Sequence, residues 1–339
     1  MPLPSRKLGK NGPEVPAVGL GLMGIGFPIY GPLPPDEERL ALLDRAHELG
    51  ATFWDTSDKY GDCEELIGKW FKRTGKREDI FLASKYGYFK DSFEVDSSAA
   101  ACKKCCDESL TRLGVDSIDL YYLHAVNPKT PIEESMRALA ELKAAGKIKH
   151  IGLSNVGSVD LRRAVKIAPV VAVQVEYSAF CRDIEGTAGT NLLATCRELG
   201  IVVVAYSPLG HGMLTSTFAS GQVVGDTDMR GSFLPRFHED NRTQNIQLAS
   251  QFAALASKKG CSPAQLAVAW LLKQGDDIIP IPGTKKMTYL EENMGSLRIN
   301  LTDEEESEIR TFVEDAEISG GSMPHGMEDS SFPTTVEEA

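Results

Sequence analysis

The chain has no uninterrupted apolar run approaching the ~18 residues that a bilayer-crossing helix needs, which argues against a membrane-embedded protein. Positive charge is also scarce. Thirty-six Lys and Arg stand against 48 Asp and Glu, a net charge of −12. Such a surface suits neither nucleic acid nor an anionic membrane as main partner. The opening residues, Met-Pro-Leu-Pro-Ser-Arg-Lys, lack the apolar stretch of a secretory signal. Seven cysteines (63, 102, 105, 106, 181, 196 and 261) are an odd number in a chain this large, so a reduced, cytoplasmic protein is the simplest expectation. Cys102-Lys-Lys-Cys105-Cys106 has no second C-x-x-C and no histidine pair nearby. A zinc site would lack ligands there, and no metal is expected. No repeat with a period of about 20–50 residues is present.

What is there is ordinary globular material: 339 residues, 42% hydrophobic and 25% charged, enough for one large domain or two small ones. Eight short apolar runs read as strands: Val15–Met23, Ala51–Ser57, Asp79–Tyr86, Ile118–His124, Ile148–Asn155, Val170–Ser178, Ile201–Leu209 and Asp277–Gly283. Several are continuously apolar and β-branched, as in Ile201-Val-Val-Val-Ala, which suits parallel strands buried on both faces. Between them lie helical patterns at Asp36–Leu49, Asp62–Thr74, Asp96–Leu113, Pro131–Ala145, Ser158–Ile167 and Gly189–Leu199. Two of these read as running from a capping residue to a glycine, Asp36 to Gly50 and Thr130-Pro131 to Gly146. Strict strand–helix alternation predicts a single-domain α/β fold, a (β/α)8 barrel over residues 1–318. Residues 319–339, rich in Gly, Ser, Pro and Glu, read as a flexible acidic tail. Leu3–Leu8 is expected in a hairpin at the barrel bottom. The stretch Gly210–Phe237 reads as a long loop on the face where barrels bind ligands. Helical patterns Asn241–Lys259 and Ser262–Gln274 follow it.

Asp55, Tyr60, Lys85 and His124 stand at or just past the ends of three of these strands. Catalytic residues of a barrel come from such positions. Free tyrosine, with a pKa of ~10, is a poor acid at neutral pH. An adjacent ammonium lowers that value, and an aspartate holds the ammonium charged, so Tyr60 is expected to act as a general acid near pH ~7. Lys85 ends an apolar strand and needs a partner or a task, because an unpaired buried ammonium is costly. Gly19-Leu-Gly-Leu-Met-Gly24 has the spacing of a dinucleotide fingerprint, but no helix is expected to open there, and a turn after the first strand is the better reading. Trp54, Tyr86, Tyr88 and Phe89 point to an aromatic-lined pocket. Arg230, Arg236 and Phe237 stay undecided between ligand contact and solvent.

Seven segments occur in order: Phe53-Trp-Asp-Thr-Ser-Asp-Lys-Tyr-Gly61, Ala83-Ser-Lys-Tyr86, Asp119-Leu-Tyr-Tyr-Leu-His124, Gly146-Lys-Ile-Lys-His-Ile-Gly-Leu-Ser-Asn155, Gln174-Val-Glu-Tyr177, Ala205-Tyr-Ser-Pro-Leu-Gly210 and Ile281-Pro-Gly-Thr-Lys-Lys286. Together they resemble the aldo-keto reductase family from Leu8 to about Leu301. Ile281–Asn293 is similar to its fungal and bacterial branch that includes pyridoxal reductases. The resemblance implies a barrel that moves a hydride from C4 of NADPH to an aldehyde or ketone, pyridoxal-like or aromatic. Tyr60 would protonate the carbonyl oxygen, with Lys85 and Asp55 behind it and His124 orienting the carbonyl. It further implies Ser154, Asn155 and Gln174 at the carboxamide, and Tyr206 stacked on the nicotinamide. Ser207, Leu209 and Gly210 would lie at the pyrophosphate. Gly283, Thr284, Lys285, Lys286, Glu292 and Asn293 would lie at the adenosine-phosphate end. Many NADPH-specific members carry an arginine where this chain has Tyr289, and the resemblance puts Lys286 in its place. NADH remains the alternative cofactor. Two other functions fit some of these residues: a barrel aldolase using Lys85 as its Schiff-base amine, and a non-catalytic cofactor-sensing subunit.

Overall fold

The computed structural model describes residues 3–338 apart from 11, 223–224, 226 and 324–330. The continuous apolar runs become short parallel strands. They are β3 (Leu20–Gly21), β4 (Phe53–Asp55), β5 (Phe81–Tyr86), β6 (Ile118–Leu123), β7 (Ile148–Ser154), β8 (Ala172–Glu176), β9 (Val202–Tyr206) and β10 (Ile278–Pro280). Each pairs in parallel with the next in chain order from β3 to β10. The ends of the series meet: Gly19 N–H donates to Pro280 O at 3.0 Å, Gly21 N–H donates to Pro282 O at 3.2 Å, and Gly21 bridges Gly283. The sheet therefore curls into the expected (β/α)8 barrel.

Alternation of side chains along the strands makes two cores. Phe53, Ala83, Leu120, Tyr122, Ala172, Val202, Val204 and Ile279 point inward and fill the barrel with Leu8 and Val15. Their neighbours, such as Trp54, Leu82, Tyr121, Val173 and Val203, face outward under the helices. Glycine makes the closing seam tight enough to bond. A Cβ at Gly19 would stand 2.8 Å from Ile281 Cγ2, and one at Gly21 would stand 2.7 Å from Ile281 O. The glycines of the fingerprint-like motif thus serve close packing. Contrary to expectation a helix does open there, but Met23–Gly26 is a single turn.

The first strand differs from its sequence reading. Val15–Met23 divides into β2 (Glu14–Pro16), which pairs antiparallel with β1 (Ser5–Lys7), and β3. The β1–β2 hairpin caps the barrel bottom, where the Arg6 guanidinium donates to Ile278 O and Leu272 O. The helices follow their patterns: Asp36–Glu48, Cys63–Thr74, Ala99–Leu113, Ile132–Ala144, Ser158–Ala164, Leu192–Leu199, Glu239–Lys259 and Pro263–Lys273. Asp36 is not a cap, however. Pro35 precedes the helix, and the Asp36 carboxylate takes Arg39 and Lys69 instead. Pro131 likewise replaces Thr130 at the start of Ile132–Ala144. True side-chain caps occur at Ser98, Ser262 and Thr302. No helix among the described residues is long and apolar enough to cross a membrane.

Of the tail, residues 324–330 and 339 lie outside the described residues. Within 331–338, Thr335 is buried: its N–H and Oγ1–H donate to Asp160 Oδ2 and Oδ1 at 2.8 and 3.1 Å. Arg163 donates to Val336 O at 2.8 Å, and Val336 N–H donates to Pro128 O at 2.9 Å.

Candidate active site

The inward row of each strand changes character at its C-terminal end. Two residues beyond Phe53 comes Asp55, and two beyond Ala83 comes Lys85. Similarly Tyr122 leads to His124, Ala172 to Gln174 and Val204 to Tyr206. Period-two alternation carries each polar side chain to the same barrel mouth that the apolar residues fill below.

Lys85 sits at the centre with no solvent exposure, and Asp55 is 2% exposed. The ammonium donates to Asp55 Oδ1 at 2.5 Å, to Thr56 O at 2.8 Å and to Tyr60 Oη at 3.5 Å. Those three acceptors match its three donors. Gln174 Nε2 donates to the other Asp55 oxygen at 2.7 Å. The His124 ring meets Tyr60 edge-on, with centroids 5.8 Å apart at 84°, and Tyr88 similarly at 5.0 Å and 80°. The four expected residues are therefore together.

Burial and charge compete throughout this cluster. Burial opposes the Lys85 charge, yet Asp55 and Tyr60 outweigh it and hold the ammonium above its ordinary value. Burial pushes the Asp55 carboxyl up, against Lys85 and Gln174. Burial also raises the Tyr60 phenol above its ordinary 10.0; Lys85 pulls it down without prevailing. This corrects the sequence expectation of a phenol brought near neutrality. Desolvation of the phenolate outweighs attraction to one ammonium that Asp55 already half neutralises. Burial, then Lys85 and Lys59, holds His124 well below 6.5, so its imidazole is neutral at physiological pH.

The remaining expected positions lie at the ends of β7 and β9 and in the segment after β10. Ser154 Oγ is buried with no hydrogen-bond partner among the described residues. Tyr206 Oη donates to Asn155 Oδ1 at 3.1 Å, and Asn155 takes the left-handed conformation, φ 50°. Ser207, Leu209 and Gly210 form the turn after β9, with Ser207 and Gly210 also at positive φ. Gly283 meets Gly21 at the seam. Thr284 Oγ1 accepts the Lys286 N–H at 3.0 Å just before the helix Met287–Gly295, on which Glu292 is half-buried and Asn293 buried. The two lysines part company. Lys286 is exposed, with Nζ 5.1 Å from the Tyr289 ring centre, whereas Lys285 donates to Tyr30 O and Pro32 O at 2.7 and 2.9 Å.

Arg230 and Arg236, in the long loop after β9, are bonded within the protein. Arg230 donates to Asp228 and His211 O, both at 2.7 Å, and lies over the Tyr30 and Phe237 rings. Arg236 donates to Phe180 O at 3.0 Å. Met229 N–H donates to Ile29 O at 2.9 Å, which joins this loop to the one after β3. The Phe233 ring meets Phe93 at 5.7 Å. Ser57 is a site residue that sequence reasoning passed over: its Oγ lies 3.1 Å from His124 Nδ1. Its place in the turn between Asp55 and Tyr60 was the available signal. No group of His, Cys, Asp and Glu among the described residues is arranged to hold a metal.

The Aldo/keto reductase family model matches residues 17–314. Aldo-keto reductase str7 of Strobilurus tenacellus is 47% identical, over 94% of this chain and 95% of that protein. Aldo-keto reductase yakc [NADP(+)] of Schizosaccharomyces pombe is 44% identical, over 99% and 98%. Among solved structures, glycerol dehydrogenase AKR11B4 from Gluconobacter oxydans superposes with a TM-score of 0.81 at 28% identity, covering 94% of this chain and 97% of that one. The thermostable aldo-keto reductase Tm1743, in complex with the inhibitor epalrestat, superposes with a TM-score of 0.71 at 30% identity, covering 91% and 100%. With its barrel closed and its sequence matched almost end to end, the chain belongs to the aldo/keto reductase family.

Proposed function

We propose that this protein reduces aldehydes or ketones with NADPH, with Tyr60 as proton donor to the carbonyl oxygen. The observation that carries the reading is the buried line Asp55–Lys85–Tyr60, which ends beside His124 at the barrel mouth. When bound, NADPH supplies the hydride. The residues present fit it: the orphaned Ser154 hydroxyl needs a polar partner such as a carboxamide, with Gln174 paired beside it on β8 and Asn155 next in the chain, just past β7. Tyr206 offers a ring, and Ser207, Leu209 and Gly210 offer a turn for the pyrophosphate. Gly283, Thr284, Lys285, Lys286, Glu292 and Asn293 frame the adenosine-phosphate end.

Within that site the protein's own groups do three things. Lys85 keeps its charge against Asp55 and faces the phenol. Tyr60 holds a proton at Oη. His124, neutral, offers a nitrogen to the carbonyl. Tyr88, Phe93 and Phe233 stand in ring contact around the mouth, which favours aromatic or pyridoxal-like carbonyls. The Schiff-base aldolase alternative is disfavoured by the same geometry. Its nucleophile must be a free amine, and Lys85 is a fully buried ammonium with every donor engaged. A purely cofactor-sensing role has no need of the Asp55–Lys85–Tyr60 line.

The direct test is loss of reduced-nicotinamide absorbance with an activated aromatic aldehyde. Aldehyde-dependent NADPH oxidation is expected; tight NADPH binding without turnover would turn the reading toward a sensor. Cofactor choice has its own test. Lys286→Ala should weaken NADPH by about tenfold or more, the size of a lost charge-assisted bond, and leave NADH unchanged. Lys285→Ala should weaken both alike, because that ammonium ties the loops together. Equal losses for both cofactors in the Lys286 variant would move the phosphate site elsewhere.

A further inference from the structure

The Ser57 hydroxyl has one proton and two claimants. Its Oγ lies 3.1 Å from His124 Nδ1 and 3.2 Å from Asp58 Oδ1, and it already accepts the Lys59 N–H at 3.1 Å. One lone pair therefore remains. We infer that Ser57 and Asp58 are positioning residues for His124: whichever group takes the Ser57 proton decides which imidazole nitrogen carries hydrogen. The inference rests on the carbonyl-reductase reading of the site.

Two arrangements close the hydrogen-bond count. With Asp58 protonated, its O–H donates to Ser57 Oγ and the Ser57 O–H donates to His124 Nδ1. The imidazole is neutral, so its hydrogen is on Nε2, and Nε2–H can donate to a carbonyl oxygen. With Asp58 ionised, the carboxylate takes the Ser57 proton, being the stronger acceptor. His124 then donates Nδ1–H to Ser57 Oγ. Nε2 is left with a lone pair that repels a carbonyl oxygen. No proton is gained or lost by the imidazole; only its tautomer changes.

The setting of Asp58 lets both states occur in the working range. Asp58 is 7% exposed. Burial, then the neighbouring Glu64 carboxylate, pushes its carboxyl up to about 7, against Ser57, Arg112 and the Cys105 thiol. Arg112 cannot neutralise it fully, because its guanidinium is bonded to Glu64 at 2.7 Å. Lys59 and the buried Tyr121 hydroxyl complete the groups that feel this charge. On the other side, burial, then Lys85 and Lys59, holds the His124 imidazole neutral. The Tyr60 and Tyr88 rings stand nearly perpendicular to the His124 ring, at 84° and 80°.

The test has one readout that needs no turnover and one that does. Nitrogen NMR of His124 in the intact protein should pass from the Nε2–H to the Nδ1–H tautomer as pH rises through about 7, and Asp58→Asn should abolish that transition. In parallel, kcat/KM for aldehyde reduction should fall by about tenfold per pH unit above this point. The fall should vanish in Asp58→Asn and in Ser57→Ala, whatever the absolute rates. A single His124 tautomer across the range, or an unchanged fall in Asp58→Asn, would overturn the inference. A tautomer transition in a protein with no reductase activity would uphold the relay and overturn the carbonyl-reductase reading instead. Because the NMR titration uses the native chain, poor folding of a variant does not blunt it.

Discussion

Tyr60→Phe should bind NADPH as the native protein does and reduce aldehydes about 10²–10⁴-fold more slowly, the usual cost of losing a positioned general acid. The substitution deletes one hydroxyl and keeps the ring. The edge contact with His124 and the position of Lys85 over the ring, 4.9 Å from its centre, should survive. The raised pKa of the phenol does not weaken this expectation. At pH 7 a phenol titrating above 10.0 is fully protonated, so every molecule holds the proton to be given. A carbonyl that has accepted hydride becomes an alkoxide, a far stronger base than a phenolate. Transfer from Tyr60 is downhill even with the phenol raised, and Lys85, 3.5 Å away, stabilises the phenolate left behind. The sign of the pH effect follows. Reduction needs the phenol protonated, so its Tyr60-dependent limb should fall only above pH 10. The reverse oxidation of an alcohol needs the phenolate and should rise with pH. In Asp58→Asn, where the limb near 7 is removed, this higher limb should stand alone. Near-native turnover in Tyr60→Phe would remove the assigned role.

How far the sequence revealed this site depends on what kind of physics set each part. Strands such as Val202–Tyr206 were legible because burial on both faces demands an unbroken apolar run. Asp55, Lys85 and His124 were legible because an ionisable residue closing such a run needs a reason to be there. The division of Val15–Met23 was not. Its residues are apolar throughout, but Val15 opposes Arg6 in the bottom hairpin while Leu20 opposes Trp54 in the barrel. Hydrophobicity cannot tell which layer a residue fills. The balance at Tyr60 was hidden for a related reason. Residue types name the charged neighbours, but the depth of burial that outweighs them is a property of the closed barrel. Ser57 and Thr335 show the other limit. Small hydroxyl residues in a turn and in a Gly- and Ser-rich tail look solvated, until Ser57 meets His124 and Thr335 meets Asp160.

Lys85→Met tests the centre of the site in two currencies, rate and stability. Methionine fills the barrel with a side chain of similar length and no charge. It leaves the Asp55 carboxylate buried with only Gln174 as donor, and it strips Thr56 O of its partner. Breaking a buried ion pair from one side typically costs about 3–5 kcal/mol, most of it the penalty of the abandoned charge. That loss should appear at neutral pH in denaturant unfolding. It should shrink as pH falls toward 4, since below the ordinary aspartate value of 3.8 the carboxyl is protonated both folded and unfolded. Asp55→Asn added to Lys85→Met removes the stranded charge and should recover most of the stability. It should recover none of the rate. Reduction in both variants should stay at least about 10²-fold below native, because the phenolate formed at Tyr60 then has no cation beside it. The split decides between two roles for the buried pair. If the double substitution restored rate along with stability, Lys85 and Asp55 would matter only as structural support. If stability returns while turnover does not, Lys85 acts on the reacting proton through Tyr60, and Asp55 acts by keeping Lys85 charged and in place.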